Sequence, residues 1–224
     1  MVNIYFPLSN FYYNLLEILT HIRHSEKVFN MKRLLLIIIL TFSFQLLTKA
    51  DDIRDFEIEG LSIGDSLLKK FNEKKIINKI KNSNQYYKDN DYLLISFKIK
   101  SEKFDYLRFH VKSGDKDYLI QHIGGYKIID FYNCKNKKKI ISDELNLIFG
   151  ANKRQDSKIK NHAYDKTGKS KSISNYFNLS TGRIRIMCTD WSSKLTTEKN
   201  WKDNLQVSIY SNKFADWLNN RAYK

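Results

Sequence analysis

Residues 92–129 read YLLISFKIKSEKFDYLRFHVKSGDKDYLIQHIGGYKII, and the fold turns on them. Ile95, Phe97 and Ile99 alternate with Ser96, Lys98 and Lys100, and Leu107, Phe109 and Val111 alternate with Arg108, His110 and Lys112. A strand sends successive side chains to opposite faces, so a period of two between apolar and polar residues marks half-buried strands. Ser113-Gly114-Asp115-Lys116 supplies a turn, and Tyr118 to Ile129 returns as a third strand, with Gly124-Gly125 predicting a bulge or bend. Three successive strands with short turns give an antiparallel meander.

Downstream, Tyr132 to Phe149 carries Cys134, Ile141, Leu145 and Ile148 at helical spacing, and Gly150 stops the helix. Residues 151–170 read as a long polar loop. Ser172 to Leu179 and Arg183 to Trp191 form a hairpin about Ser180-Thr181-Gly182, Leu205 to Tyr210 a last strand, and Asn212 to Asn220 a closing helix. Upstream, Phe56 and Ile58 read as a short extended segment. Ser62 and Asp65 have capping-box spacing ahead of Ile63, Leu67, Leu68 and Phe71, which predicts a first helix. Asn72 caps a second, with Ile76, Ile77 and Ile80 as its apolar face. The order ααβββαβββα predicts one α+β domain over 51–224, a twisted antiparallel sheet of about five or six strands with helices on one face.

Composition changes sharply ahead of this domain. Lys32 and Arg33 follow Met31, Leu34 to Leu47 is an apolar run, and Thr48-Lys49-Ala50 ends in a small residue before Asp51-Asp52. That is the anatomy of a secretory signal peptide over 31–50, cleaved between Ala50 and Asp51. The apolar run falls short of the roughly 20 residues that a membrane span needs. Residues 1–30 then read as an N-terminal extension created by a mis-assigned start. The alternative is a cytoplasmic tail with residues 34–47 as an uncleaved anchor. Arg23, Lys27, Lys32 and Arg33 precede the apolar run, so the positive-inside bias exports the C-terminal part in either case. The expected location is the periplasm or the exterior.

The chain has 39 Lys and Arg against 24 Asp and Glu, a net charge of +15, but only eight of the basic residues are Arg. Nucleic-acid grooves favour Arg for its bidentate fork. A Lys-dominated, Asn- and Ile-rich exported chain therefore predicts solvated lysines, with no nucleic acid as partner. Lys135 to Lys139 and the segment Gly168 to Ser172 read as exposed surface.

Cys134 lies on the apolar side of its helix, and Cys188 alternates in step with Ile184 and Ile186. Both point inward, and an oxidising compartment predicts a disulfide from helix to sheet; two separate buried thiols are the alternative. The Cys-x-x-Cys spacing of redox catalysts is absent. His110, His122 and His162 read as surface histidines, and without a His-Glu-x-x-His pattern no metal or other cofactor is expected. Nucleophile-elbow, P-loop and dinucleotide fingerprints are missing. The Gly64-Asp65-Ser66 step looks superficially like an esterase nucleophile, but it falls within a helix cap. The binding residues this pattern proposes are His162, Tyr164, Asp165, Asp190 and Trp191, where aromatics meet a strand end.

The run DFEIEGLSIGDSLL (55–68), together with Cys188-Thr189-Asp190-Trp191 and the hairpin before it, resembles a family of small uncharacterised signal-peptide-bearing exported proteins of AT-rich marine alphaproteobacteria. The resemblance spans most of 31–224 and implies export and a shared fold; it carries over no catalytic residue, and Val2 to Asn30 departs from it. Gly60-Leu61-Ser62 and the segment after it are more distantly similar to small outer-membrane assembly lipoproteins, whose lipid-bearing Cys is missing here. The functional expectation is a non-catalytic exported protein that binds an envelope protein or an anionic envelope component. The alternatives are a periplasmic hydrolase of unfamiliar type, with its site near Asp190, and a membrane-tethered domain.

Overall fold

The computed structural model describes residues 52–83 and 87–223. The leader, its cleavage point at Ala50 and Asp51, and the apolar run 34–47 lie outside the described residues. Among those described, no helix is long and apolar enough to cross a membrane.

The meander forms as its alternation predicts: β1 (Tyr92–Lys98), β2 (Tyr106–Lys112) and β3 (Ile120–Ile128) pair in antiparallel succession. The second hairpin is β6 (Lys171–Asn178) with β7 (Gly182–Asp190), and β8 (Asn204–Ser211) returns between hairpin and meander. Two short strands, β4 (Arg154–Asp156) and β5 (Lys160–Asn161), pair with β6 inside the segment whose polarity predicts only loop. Among the described residues the sheet therefore has eight strands, in the order β1-β2-β3-β8-β7-β6-β4 with β5 beside β6, and not five or six. Edge strands of two or three residues carry no apolar alternation, so period alone cannot find them.

One face of the sheet holds the main core. Across it run the rows Ile95, Phe109, Ile123, Ile209, Ile184, Phe177 and Phe97, Leu107, Gly125, Val207, Ile186, Asn175. Helix α1 (Glu73–Lys81), helix α2 (Phe131–Phe149) and the N-terminal turns contribute buried residues to this core. Asp130 caps α2 by accepting from the Asn133 N–H at 3.0 Å. Cys134 of α2 is bonded to Cys188 of β7, Cα to Cα 5.8 Å, the helix-to-sheet bridge that the two inward-facing residues predict. Helix α3 (Ser193–Lys199), which no sequence signal marked, follows β7.

Helix α4 (Asn212–Asn220) begins at the expected Asn212, but it packs on the opposite face, where Phe214 and Trp217 are buried with Tyr92 and Tyr210. The helices are thus divided between both faces. The helix predicted from Ile63 to Phe71 is a chain of turns instead, with only a single 3-10 turn at Leu67–Lys69. Gly64 sits at φ +88 and gives its N–H to the Ile120 carbonyl, while the Leu67 N–H goes to the Tyr118 carbonyl. Pairing with β3 removes the donors that a helix would need. Half of the capping box survives, with the Asp65 carboxylate accepting from the Ser62 N–H at 3.0 Å. On α1, Ile76 is buried as expected but Ile77 is exposed.

The Gly124-Gly125 pair is regular strand, and the bulge lies one step earlier, between His110–His122 and Val111–Ile120. The glycines serve close packing: a Cβ on Gly125 would come within 2.7 Å of the Phe104 ring, and one on Gly124 within 3.0 Å of Ser208 Oγ. The two basic runs are not uniformly exposed either. Lys138 is buried and donates to Asn175 Oδ1 at 2.6 Å, with Asn175 in turn bonded to Ser142 at 2.9 Å. Ser170 is fully buried.

The disulfide closes a separation of 54 residues. Chain-entropy reasoning assigns such a loop about 4 kcal/mol. Cys134→Ser with Cys188→Ser should lower unfolding stability by about 3–4 kcal/mol, read as a shift of the urea midpoint. The oxidised protein, denatured without reductant, should resist thiol labelling at both positions.

Candidate functional site

The second face of the sheet is built from the polar half of the same alternation. Register aligns Arg108, Gly124, Ser208, Arg185 and Tyr176 in one row across five strands. The neighbouring rows are His110, His122, Tyr210, Arg183 on one side and Tyr106, Tyr126, Gln206, Met187, Ser174 on the other. No Asp or Glu occupies this face at any position of β1–β3 or β6–β8. Three of the chain's eight arginines stand on it.

Aromatic rings hold those arginines. The Arg108 guanidinium lies 4.6 Å from the centroid of Tyr126 and 5.3 Å from that of Tyr106. Those two rings are themselves stacked at 4.8 Å. Arg183 lies 5.7 Å from the Tyr176 ring, and Arg185 lies 6.0 Å from the Tyr210 ring. Of the buried side-chain polar atoms left without a partner among the described residues, Nε of Arg185 alone belongs to a charged group. A buried donor without an acceptor costs about 1–3 kcal/mol, so its placement asks for an explanation.

Beside this row lies a buried imidazole pair. His110 and His122 meet at 2.9 Å through their Nδ1 atoms, and Tyr87 reaches His110 Nε2 at 2.8 Å. The rings are covered by Phe214 of α4, 4.6 Å from His110 and 5.3 Å from His122. Neither is the surface histidine that the strand pattern predicts, because α4 covers the polar side of the strands at this end. Burial, with the Arg108 charge, pushes His110 down to about 3. Burial, His110 and the charges of Arg185 and Arg108 hold His122 well below its ordinary value. Both are neutral at pH 7 and add no positive charge to this face.

The residues proposed from sequence gather at the far end of β7. His162 packs on Trp191 at 4.3 Å, Trp191 on Trp201 at 4.5 Å, and Trp201 on Tyr164 at 4.7 Å. His162, Tyr164 and Trp191 therefore belong to one aromatic cluster, joined by Trp201. Asp165 is bound into a turn, accepting from Thr167 and Ser170 through both backbone and hydroxyl at 2.6–2.9 Å. Those bonds, led by the Ser170 hydroxyl, hold its carboxyl below the usual range. Asp190 pairs in register with Lys171; burial and the nearby Asp203 raise its carboxyl. Asp203 accepts from the Trp191 N–H at 2.8 Å. Among the described residues, no group of three or more His, Cys, Asp or Glu side chains is placed to hold a metal ion.

Arg108, Arg183, Arg185 and their tyrosines escaped the sequence reading, since charge alternating with apolar residues ordinarily means a solvated face. The available signal was Arg in a chain that otherwise uses Lys. No family model matches this chain, and neither the curated proteins nor the solved structures searched contain a match.

The neutral imidazoles make stability depend on pH. The unfolded chain takes up protons near pH 6.5 that the folded chain refuses, so stability is complete above that value and falls as pH drops toward the folded values. Each imidazole contributes a slope of about 1.4 kcal/mol per pH unit below pH 6. Urea midpoints should fall steeply between pH 6.5 and 4.5, and His122→Gln should flatten that dependence.

Proposed function

We propose that this protein is an exported, non-catalytic binding protein that holds an anionic envelope component on the arginine-bearing face of its sheet. The observation that carries the reading is the face itself: three arginines set among tyrosines, no carboxylate at any strand position, and one guanidinium nitrogen shielded from solvent without an acceptor. Arg54 pairs with Asp52, Arg154 with Asp143 and Asp156, and Arg221 with Asp89 and Asp91. Arginine on strands that present no acid beside it, held against aromatic rings, is the arrangement that receives phosphate or carboxylate groups from outside. Export rests on the leader at 31–50 and accords with the disulfide, which persists in oxidising compartments.

Cosedimentation of the protein with isolated envelopes tests the reading. Arg183→Gln with Arg185→Gln should weaken binding at least tenfold, whereas Lys135→Gln with Lys137→Gln should change it less than twofold. Equal loss in both variants would mean diffuse charge attraction and would sink the reading. N-terminal sequencing of the mature protein should begin at Asp51.

A second reading, a hydrolase at the end of β7, is favoured by the raised Asp190 carboxyl close to Asp203. A partly buried carboxyl with raised pKa suits a general acid. It predicts hydrolytic turnover of an envelope polymer that Asp190→Asn abolishes; absence of turnover across glycan and ester substrates removes it.

A further inference from the structure

The arginine row has a narrower geometry than a surface for polyanions. Arg108 on β2 and Arg185 on β7 are separated by three strand steps, about 14 Å between backbones. Each guanidinium lies close to a ring on the adjacent inner strand, Arg108 over Tyr126 of β3 and Arg185 near Tyr210 of β8. Both charges act on His122, which stands on β3 between them. Beneath lie Gly124, with no side chain, and Ser208, which is fully buried. Ser208 Oγ accepts from Gln206 Nε2 at 2.6 Å, leaving its own proton to donate. The tyrosines Tyr106, Tyr126, Tyr176 and Tyr210 rise around this floor, and burial raises the hydroxyl pKa of Tyr106 and Tyr210. They stay protonated and add no negative charge.

Resting on the reading of this face as the binding face, we propose that Arg185 and Ser208, with Arg108 opposite, form a seat for a single oxyanion group, the chemistry shared by a phosphate monoester and a carboxylate. Nε of Arg185 and the Ser208 hydroxyl donate to the oxyanion oxygens. The tyrosine rings flank whatever body carries the group. A long polyanion does not fit the arrangement, because the donor that lacks a partner is the one shielded from solvent.

Titration calorimetry on the purified protein tests this with inorganic phosphate and acetate as single-oxyanion probes. Polyphosphate serves as the polyanion probe, and vesicles with and without phosphatidic acid as the lipid source. Phosphate or acetate should saturate one site, and Arg185→Lys, which keeps charge but loses the fork, should weaken it at least tenfold. Lys135→Gln, away from this face, should leave it within twofold. Ser208→Ala, a smaller change, should weaken it several-fold and serves if Arg185→Lys proves unfolded by circular dichroism. Vesicle binding that needs phosphatidic acid and falls in parallel with phosphate binding in these variants identifies a lipid headgroup as the source. Binding of phosphate without vesicle binding identifies a soluble one. No saturable binding of either small probe at 10 mM, roughly the ceiling for a weak specific site, overturns the seat. Unchanged affinity in both Arg185→Lys and Ser208→Ala overturns it as well. If polyphosphate alone binds, the seat fails while the anionic partner of the broader reading stands.

Discussion

The pairing of β3 with β8 is the constraint on which the rest of this molecule depends. It joins a meander formed by nearby residues to a hairpin that lies far along the chain, in register from His122–Tyr210 to Ile128–Asn204. Closing so long a loop costs conformational entropy that only a large buried surface offsets. That surface lies on the apolar face, where Ile123, Ile209 and Ile184 continue one row and Val207 and Ile186 another. Two glycines make the approach possible. Gly125 leaves room for the Phe104 ring on one face, and Gly124 leaves room for Ser208 on the other.

The same register fixes the chemistry of the second face. A shift by one residue would send the apolar rows to solvent and the arginines into the core, so the core holds the arginine row in place. Arg108 and Arg185 come from different halves of the chain and share a row only because β3 and β8 lie between them. The disulfide from α2 to β7 secures the apolar side of the hairpin that carries Arg183 and Arg185. Helix α4 then closes the polar side at one end, placing Phe214 over the imidazoles and keeping them neutral.

Much of the fold is legible residue by residue. The alternation in Leu107-Arg108-Phe109-His110-Val111 gives both faces of β2, and Gly150 stops α2. Other elements resist for physical reasons. The apolar residues Ile63, Leu67, Leu68 and Phe71 have helical spacing, yet pairing with β3 draws their segment into turns. The short strands β4 and β5 owe their existence to a neighbour, β6, and not to any pattern of their own. At the candidate site, Trp191 is legible at a strand end, with His162 and Tyr164 as residues of the long polar loop. Trp201, their fourth ring, comes from beyond α3.

By itself the sequence determined what local periodicity and side-chain chemistry control: the meander, the second hairpin, the main and closing helices, and two cysteines aimed inward. Tertiary structure alone decided which face each helix covers, because α4 carries an apolar stripe that fits either side of a sheet. It decided that His110 and His122 are buried and neutral, since burial depends on what lies above a strand. It also decided that arginines 77 residues apart stand in one row, because strand register, unlike helical or strand period, is set by the whole core at once.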